Sequence, residues 1–116
     1  MYHFHVNLFA DPKDSSFACT WEDAAALLEQ LPRMIFEPDG SFVFSGGVRE
    51  THWHVNGHLF DFAGRLHRLE LHGQCPRESF DALLRCVGWP AQPLQFELVR
   101  EGITVDEREF RSRVSL

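Results

Sequence analysis

Cysteine is scarce in this chain: Cys19, Cys75 and Cys86 are odd in number, widely spaced, and form no CxxC pair. That pattern is a poor disulfide framework and fits a reducing, cytoplasmic compartment. Basic charge is short as well. Eleven bases, of which Lys13 is the one lysine, stand against seventeen acids, and the formal charge is −6. No run of bases forms, so the footprint that neutralises phosphates is missing and a nucleic-acid partner is not expected. Long apolar stretches are absent too, so no membrane span is expected. The opening MYHFHVNLFADPKD has neither a charged leader nor a continuous apolar run, and does not read as a signal peptide. Gly46-Gly47 is followed by neither a Lys-Ser/Thr pair nor a helix start, so it is not a phosphate loop.

What is present is apolar mass and histidine. Apolar residues make up 44% of the 116 residues, with eleven Phe and three Trp, which excludes a disordered chain. A chain of this length buries roughly two-thirds of its unfolded surface and needs no disulfide or metal for stability. One domain spanning residues 1–116 is expected. Seven histidines make the charge pH-sensitive: protonating all of them would carry −6 to +1.

Residues 2–9 alternate, with Tyr2, Phe4, Val6 and Leu8 against His3, His5, Asn7 and Phe9, which predicts a half-buried strand. Residues 11–19 are turn formers and predict a loop. Thr20 is placed as an N-cap for a helix over 20–31 that lays Trp21, Leu28 and Leu31 on a sheet and stops at Pro32. Pro38-Asp39-Gly40 predicts a hairpin pairing Phe36 with Phe42 and Met34 with Phe44. Gly46-Gly47 predicts a second tight turn. The stretch Glu50–His72 holds five of the seven histidines and predicts three strands, with turns at Asn56-Gly57 and near Gly64.

In that register Phe42, Phe44, Trp53, Val55, Phe60, Phe62, Leu69 and Leu71 form a core face, and His58 and His67 share its phase. The wet face then holds Ser41, Ser45, Glu50, His52, His54, Asp61, Arg68, Glu70 and His72, with Val43 and Leu59 as isolated apolar members. Cys75-Pro76 opens a second helix whose stripe Phe80, Leu83, Leu84 and Val87 faces the core, with Gly88 ending it. A strand at 94–99 turns at Glu101-Gly102 into 103–105, and Asp106 to Glu109 resembles a capping box for a short final helix near 107–113. The expected class is therefore α+β: a two-layer sandwich of a mostly antiparallel meander sheet with two helices on one face, in the order β-α-β-β-β-β-β-α-β-β.

Three chemistries follow from these residues. The repeated H-x-H pairs, His3/His5 and His52/His54, put two imidazoles on one side of a strand, where a neighbouring carboxylate such as Asp61 could complete a zinc site. Solvated histidines on a wet face are the plainer account of the same pattern. His52 opposite Asp61 could orient a general base, with Ser41 as the candidate nucleophile; a simple cross-strand ion pair competes with it. Cys75, at a helix N-terminus, is the candidate reactive thiol, whereas Cys19 and Cys86 read as packing residues. No catalytic motif emerges. The leading expectation is a non-enzymatic, soluble interaction module that meets a protein partner or forms a homodimer through a sheet edge or its wet face, here Val43, His52, His54, Leu59, Asp61, Arg68 and His72. A zinc-binding protein or metal-dependent hydrolase is the alternative.

Overall fold

The structure is a computed structural model that describes residues 1–13 and 15–116; Asp14, within the expected 11–19 loop, lies outside the described residues. Seven strands build one antiparallel sheet: β1 Phe4–Ala10, β2 Met34–Phe36, β3 Ser41–Gly46, β4 Trp53–Phe62, β5 Arg65–Gly73, β6 Leu94–Leu98 and β7 Ile103–Val105. Their order across the sheet is β2-β3-β4-β5-β1-β6-β7. The helices among the described residues are α1 Trp21–Glu29, α2 Arg77–Arg85 and α3 Glu107–Val114, with a 3-10 turn at Arg49–Thr51. The α+β sandwich expected from the sequence is the architecture found.

The helices begin and end for local reasons. The Thr20 hydroxyl accepts the Asp23 N–H and the Asp106 carboxylate accepts the Glu109 N–H, so each satisfies a donor that the first turn leaves free. The final helix thus forms fully and makes a third member of the helical layer. The Phe80, Leu83, Leu84 and Val87 stripe is buried as spacing predicts. The Pro38-Asp39-Gly40 hairpin also has the expected register, Met34 opposite Phe44 and Phe36 opposite Phe42.

The core lies between the sheet and all three helices. Phe4 of β1, Phe80 of α2, Phe96 of β6 and Phe110 of α3 each keep 1% exposure or less. Their rings interlock, Phe4 edge-on to Phe80 at 5.4 Å and Phe110 stacked on Phe96 at 4.7 Å. Trp21 closes the other end, its indole N–H donating to the Leu59 carbonyl at 2.8 Å. Arg111 ties α3 to α2 through Asp81 at 2.7 Å and braces its own helix through an i,i+4 ion pair with Glu107 at 2.8 Å.

The meander differs from expectation first at Asn56-Gly57. Asn56-Gly57 is no turn: β4 runs unbroken from Trp53 to Phe62, and one strand stands where two were expected. The reversal is at Ala63-Gly64, where φ is +52° and +78° and Phe62 pairs with Arg65. Two positive φ values in a two-residue loop match the right-handed strand twist, so this turn closes the hairpin. Gly57 serves packing instead. A Cβ there would run into the ring of Phe42, which lies over the glycine on the core side.

Removing one turn changes the phase downstream. Leu59 is buried at 1% exposure rather than on the wet face, while Phe62 is 72% exposed rather than in the core. Phe60 also leaves the core phase. His58 leaves it for the same reason, and His67 lies outside the core because a register shift between Phe60 and Asp61 keeps His67 and Arg68 out of it. The Gly46-Gly47 segment also differs: it opens a loop with the Arg49–Thr51 turn, and Ser41 faces His58 instead of His52.

Candidate functional site

Because the helices share one side of the sheet, the other side is uncovered. The registers place its side chains in rows that run across the strands. One row is Ile35, Val43, Asn56, His72 and His5, joined through successive pairings, and the next is Ser41, His58, Glu70, Asn7 and Glu97. A third sets Phe60 against Arg68. Every histidine of the chain lies on this side or its rim.

Within the rows the contacts are specific. The His5 ring nitrogen Nε2 lies 2.8 Å from Glu70 Oε2. The His72 ring stacks on His5 at 4.3 Å and meets His3 edge-on at 5.0 Å. Asn7 donates to Glu97 at 2.9 Å, and Lys13 stands 3.8 Å from the same carboxylate. His58 stacks on Phe60 at 4.0 Å, and the Arg68 guanidinium lies 3.8 Å from the same ring centre. Between these groups is a shallow recess bounded by His5, Asn56, His58, Glu70 and His72.

Partial burial pushes the His72 imidazole below its ordinary value of 6.5, and the charges of His5, His3 and Arg100 push the same way against Glu70. Burial, then Arg68 and Lys13, lowers His67 likewise. The folded chain thus holds these protons less tightly than the unfolded chain does. Acidification below about 6.5 therefore favours unfolding, and above that value the penalty vanishes.

The five residues expected to hold zinc do not converge. β5 stands between β1 and β4, so His3 and His54 sit two strand spacings apart, about 10 Å. Among the described residues no group of three or more His, Cys, Asp or Glu could hold a metal ion. His52 and Asp61 lie at opposite ends of the same extended segment, roughly 30 Å apart at strand rise, so they form no dyad. Their expected pairing required the turn at Asn56-Gly57. Ser41 directs its hydroxyl to Asp39 at 2.6 Å instead of to an imidazole.

Cys75 is not an activated thiol. It is 2% exposed, and burial, with a smaller effect of Asp81, pushes its pKa up to about 12. Desolvation outweighs the helix N-terminus because the sulfur is packed among core side chains, not held in water ahead of the first turn. Burial also raises Cys86, to about 11. Iodoacetamide at pH 7.5 should therefore label the half-buried Cys19 first and leave Cys75 and Cys86 unmodified until denaturant is added, as peptide mass mapping would show. Rapid labelling of Cys75 in the native chain would contradict this.

Of the expected surface residues, Val43, His54, Arg68 and His72 do share the uncovered face, His52 borders it, and Leu59 leaves it, as does Asp61, which pairs with buried Leu66 in the phase of Leu59. Glu70 was expected on this face and is there, whereas Asn7, Glu97, His58 and Phe60 were not expected as members of one continuous surface. Their alternation was visible, but which strand neighbours which was not.

The fold and this face define an α+β protein with a one-sided helical layer and an open antiparallel sheet. No protein-family model matches the chain, and no curated protein or solved structure matches it significantly. No helix among the described residues is long and apolar enough to cross a membrane.

Proposed function

We propose that this protein is a non-enzymatic binding module whose uncovered sheet face receives another protein chain. One observation carries the reading. A seven-stranded sheet has all its helices on one side, and the bare side combines imidazoles with exposed Ile35, Val43 and Phe62. Mixed aromatic, imidazole and aliphatic surface of this kind suits a protein interface, since histidine and aromatic groups can be desolvated at modest cost while neutral. The edges suit a partner less well, because β2 and β7 are only three residues each and offer few free backbone groups. The formal charge of −6 supports a protein partner over a nucleic acid. Three free cysteines, two of them buried, support a reducing cytoplasmic setting.

The test compares capture by the wild-type chain with capture by Val43→Arg and by Leu27→Arg. Val43 is on the bare face and Leu27 is on α1, and both are exposed enough to accept arginine without unfolding. Loss of binding with Val43→Arg alone is expected. Equal binding by all three chains would end the proposal.

A further inference from the structure

Resting on that binding role, we propose that the occupant of the uncovered face is a second copy of this chain, paired about a dyad that runs along the strands between β4 and β5. The pairing rule of such a contact is simple: where residue i of one copy meets j of the other, j also meets i. A surface accepts this only if the two sides of the dyad are complementary. The β4 column of the bare face reads Asn56, His58, Phe60, and the β5 column opposite it reads His72, Glu70, Arg68. Folding the face onto its copy about the line between them sets amide on imidazole, imidazole on carboxylate and aromatic ring on guanidinium. Each pair occurs twice and none joins like charges. The third pair repeats across the interface a contact already made within one copy, where Arg68 covers the Phe60 ring at 3.8 Å.

The flanking columns agree. β3 presents Val43 and β1 presents His5 in the same row, so the dyad brings the Val43 methyls against an imidazole that Glu70 already holds in place. Two aligned sheets cross at about 30°, which keeps these inner columns in register while the outer strands diverge. The size is that of a small standard interface. The seven strands hold 43 residues, which at about 3.3 Å rise and about 4.8 Å spacing give a face of about 680 Å², within the roughly 600–1,000 Å² per partner of a standard interface. On the helical side the exposed aliphatic Leu27 borders a separate groove with Leu31, Ala82 and Arg85, which makes it a control position away from the bare face.

Light scattering across concentration at pH 7.5 should show a dimer. Val43→Arg and Ile35→Arg, both at exposed positions, should raise its dissociation constant at least tenfold while the circular dichroism of the folded chain is unchanged, and Leu27→Arg should not raise it. The dyad itself is tested in a Cys19→Ser background. A mixture of Val43→Cys and His5→Cys chains, whose positions lie three strand spacings apart within one copy, about 14 Å, but opposite each other across the dyad, should give a crosslinked dimer with a short bismaleimide in far higher yield than either variant alone. A monomer at every concentration overturns the second-copy inference, and face-dependent capture of a different protein would then leave the binding role intact. A dimer indifferent to both arginine variants, or equal crosslinking in the unmixed samples, overturns it as well.

Discussion

Replacing Phe110 by alanine is expected to lower the unfolding free energy by about 3–5 kcal/mol, the range for removing a fully buried ring. The side chain is fully buried and touches the rings of Phe4, Phe80 and Phe96, so it joins α3 to α2 and to both inner strands at that end of the sheet. The cavity could not collapse easily, because β1 and β6 are fixed by backbone pairing at that point. A domain of this size is usually stable by only 5–15 kcal/mol, so the variant would be near the limit of folding at 37 °C. Urea unfolding followed by tryptophan fluorescence gives the number, and Trp89 is a local reporter because its indole donates to Glu107 of α3 at 2.7 Å. A loss under about 1.5 kcal/mol would show that α3 is not part of the core.

The second large effect is at Gly57. Gly57→Ala is expected to cost about 1–2 kcal/mol net. An added methyl would overlap the buried Phe42 ring, and overpacking of this kind costs about 1–3 kcal/mol. The smaller entropy of the unfolded alanine chain returns about 0.4–1 kcal/mol. Asn56→Thr, one residue earlier, should change stability by less than about 0.5 kcal/mol, because Asn56 is exposed and extended and threonine suits a strand. A hairpin turn at these positions would give another pattern, with Asn56→Thr costly because both residues would need positive φ. Thermal melts of the two variants therefore separate a continuous β4 from a turn. A neutral Gly57→Ala together with a damaging Asn56→Thr would refute the continuous strand.

That position also shows what local reading could and could not reach. Asn-Gly between alternating residues is the strongest short hairpin signal, and nothing in the neighbouring sequence marks Gly57 as a seat for an aromatic ring. The ring comes from Phe42, fifteen positions earlier, and its placement needs β3 paired with β4. With a turn placed there, Phe60, Phe62, Leu59 and His58 all took the wrong phase, while His67 took it from the register shift between Phe60 and Asp61. Because side chains alternate with a period of two, that single decision flips each position up to the reversal at Ala63-Gly64, while Leu69 and Leu71 beyond it keep the core phase. The candidate His52–Asp61 dyad was a product of the same turn.

Elements set by contiguous residues were legible. Thr20 and Asp106 announce their helices because a cap acts within three residues. The Phe80, Leu83, Leu84 and Val87 stripe, the Pro38-Asp39-Gly40 hairpin and the strand pair joined at Glu101-Gly102 likewise depend on neighbours in the chain. So does the α+β class, since two apolar periods, 2 and 3.6, can each be counted along the sequence.

Strand order belongs to the tertiary structure alone. β1 inserts between β5 and β6, partners more than sixty residues away, and no local signal encodes that choice. It separates His3 and His5 from His52 and His54, which removes the shared zinc site, and it brings His5 against Glu70 and His72. Burial likewise decided Cys75: its place at a helix start is in the sequence, but the core that surrounds the thiol is not. The sequence by itself determined the helices, most of the strands and the class of fold, because those follow from periodicity and caps within a few residues. Only the tertiary structure decided that the histidines share one bare face, because that depends on long-range pairing and on which side of the sheet the helices cover.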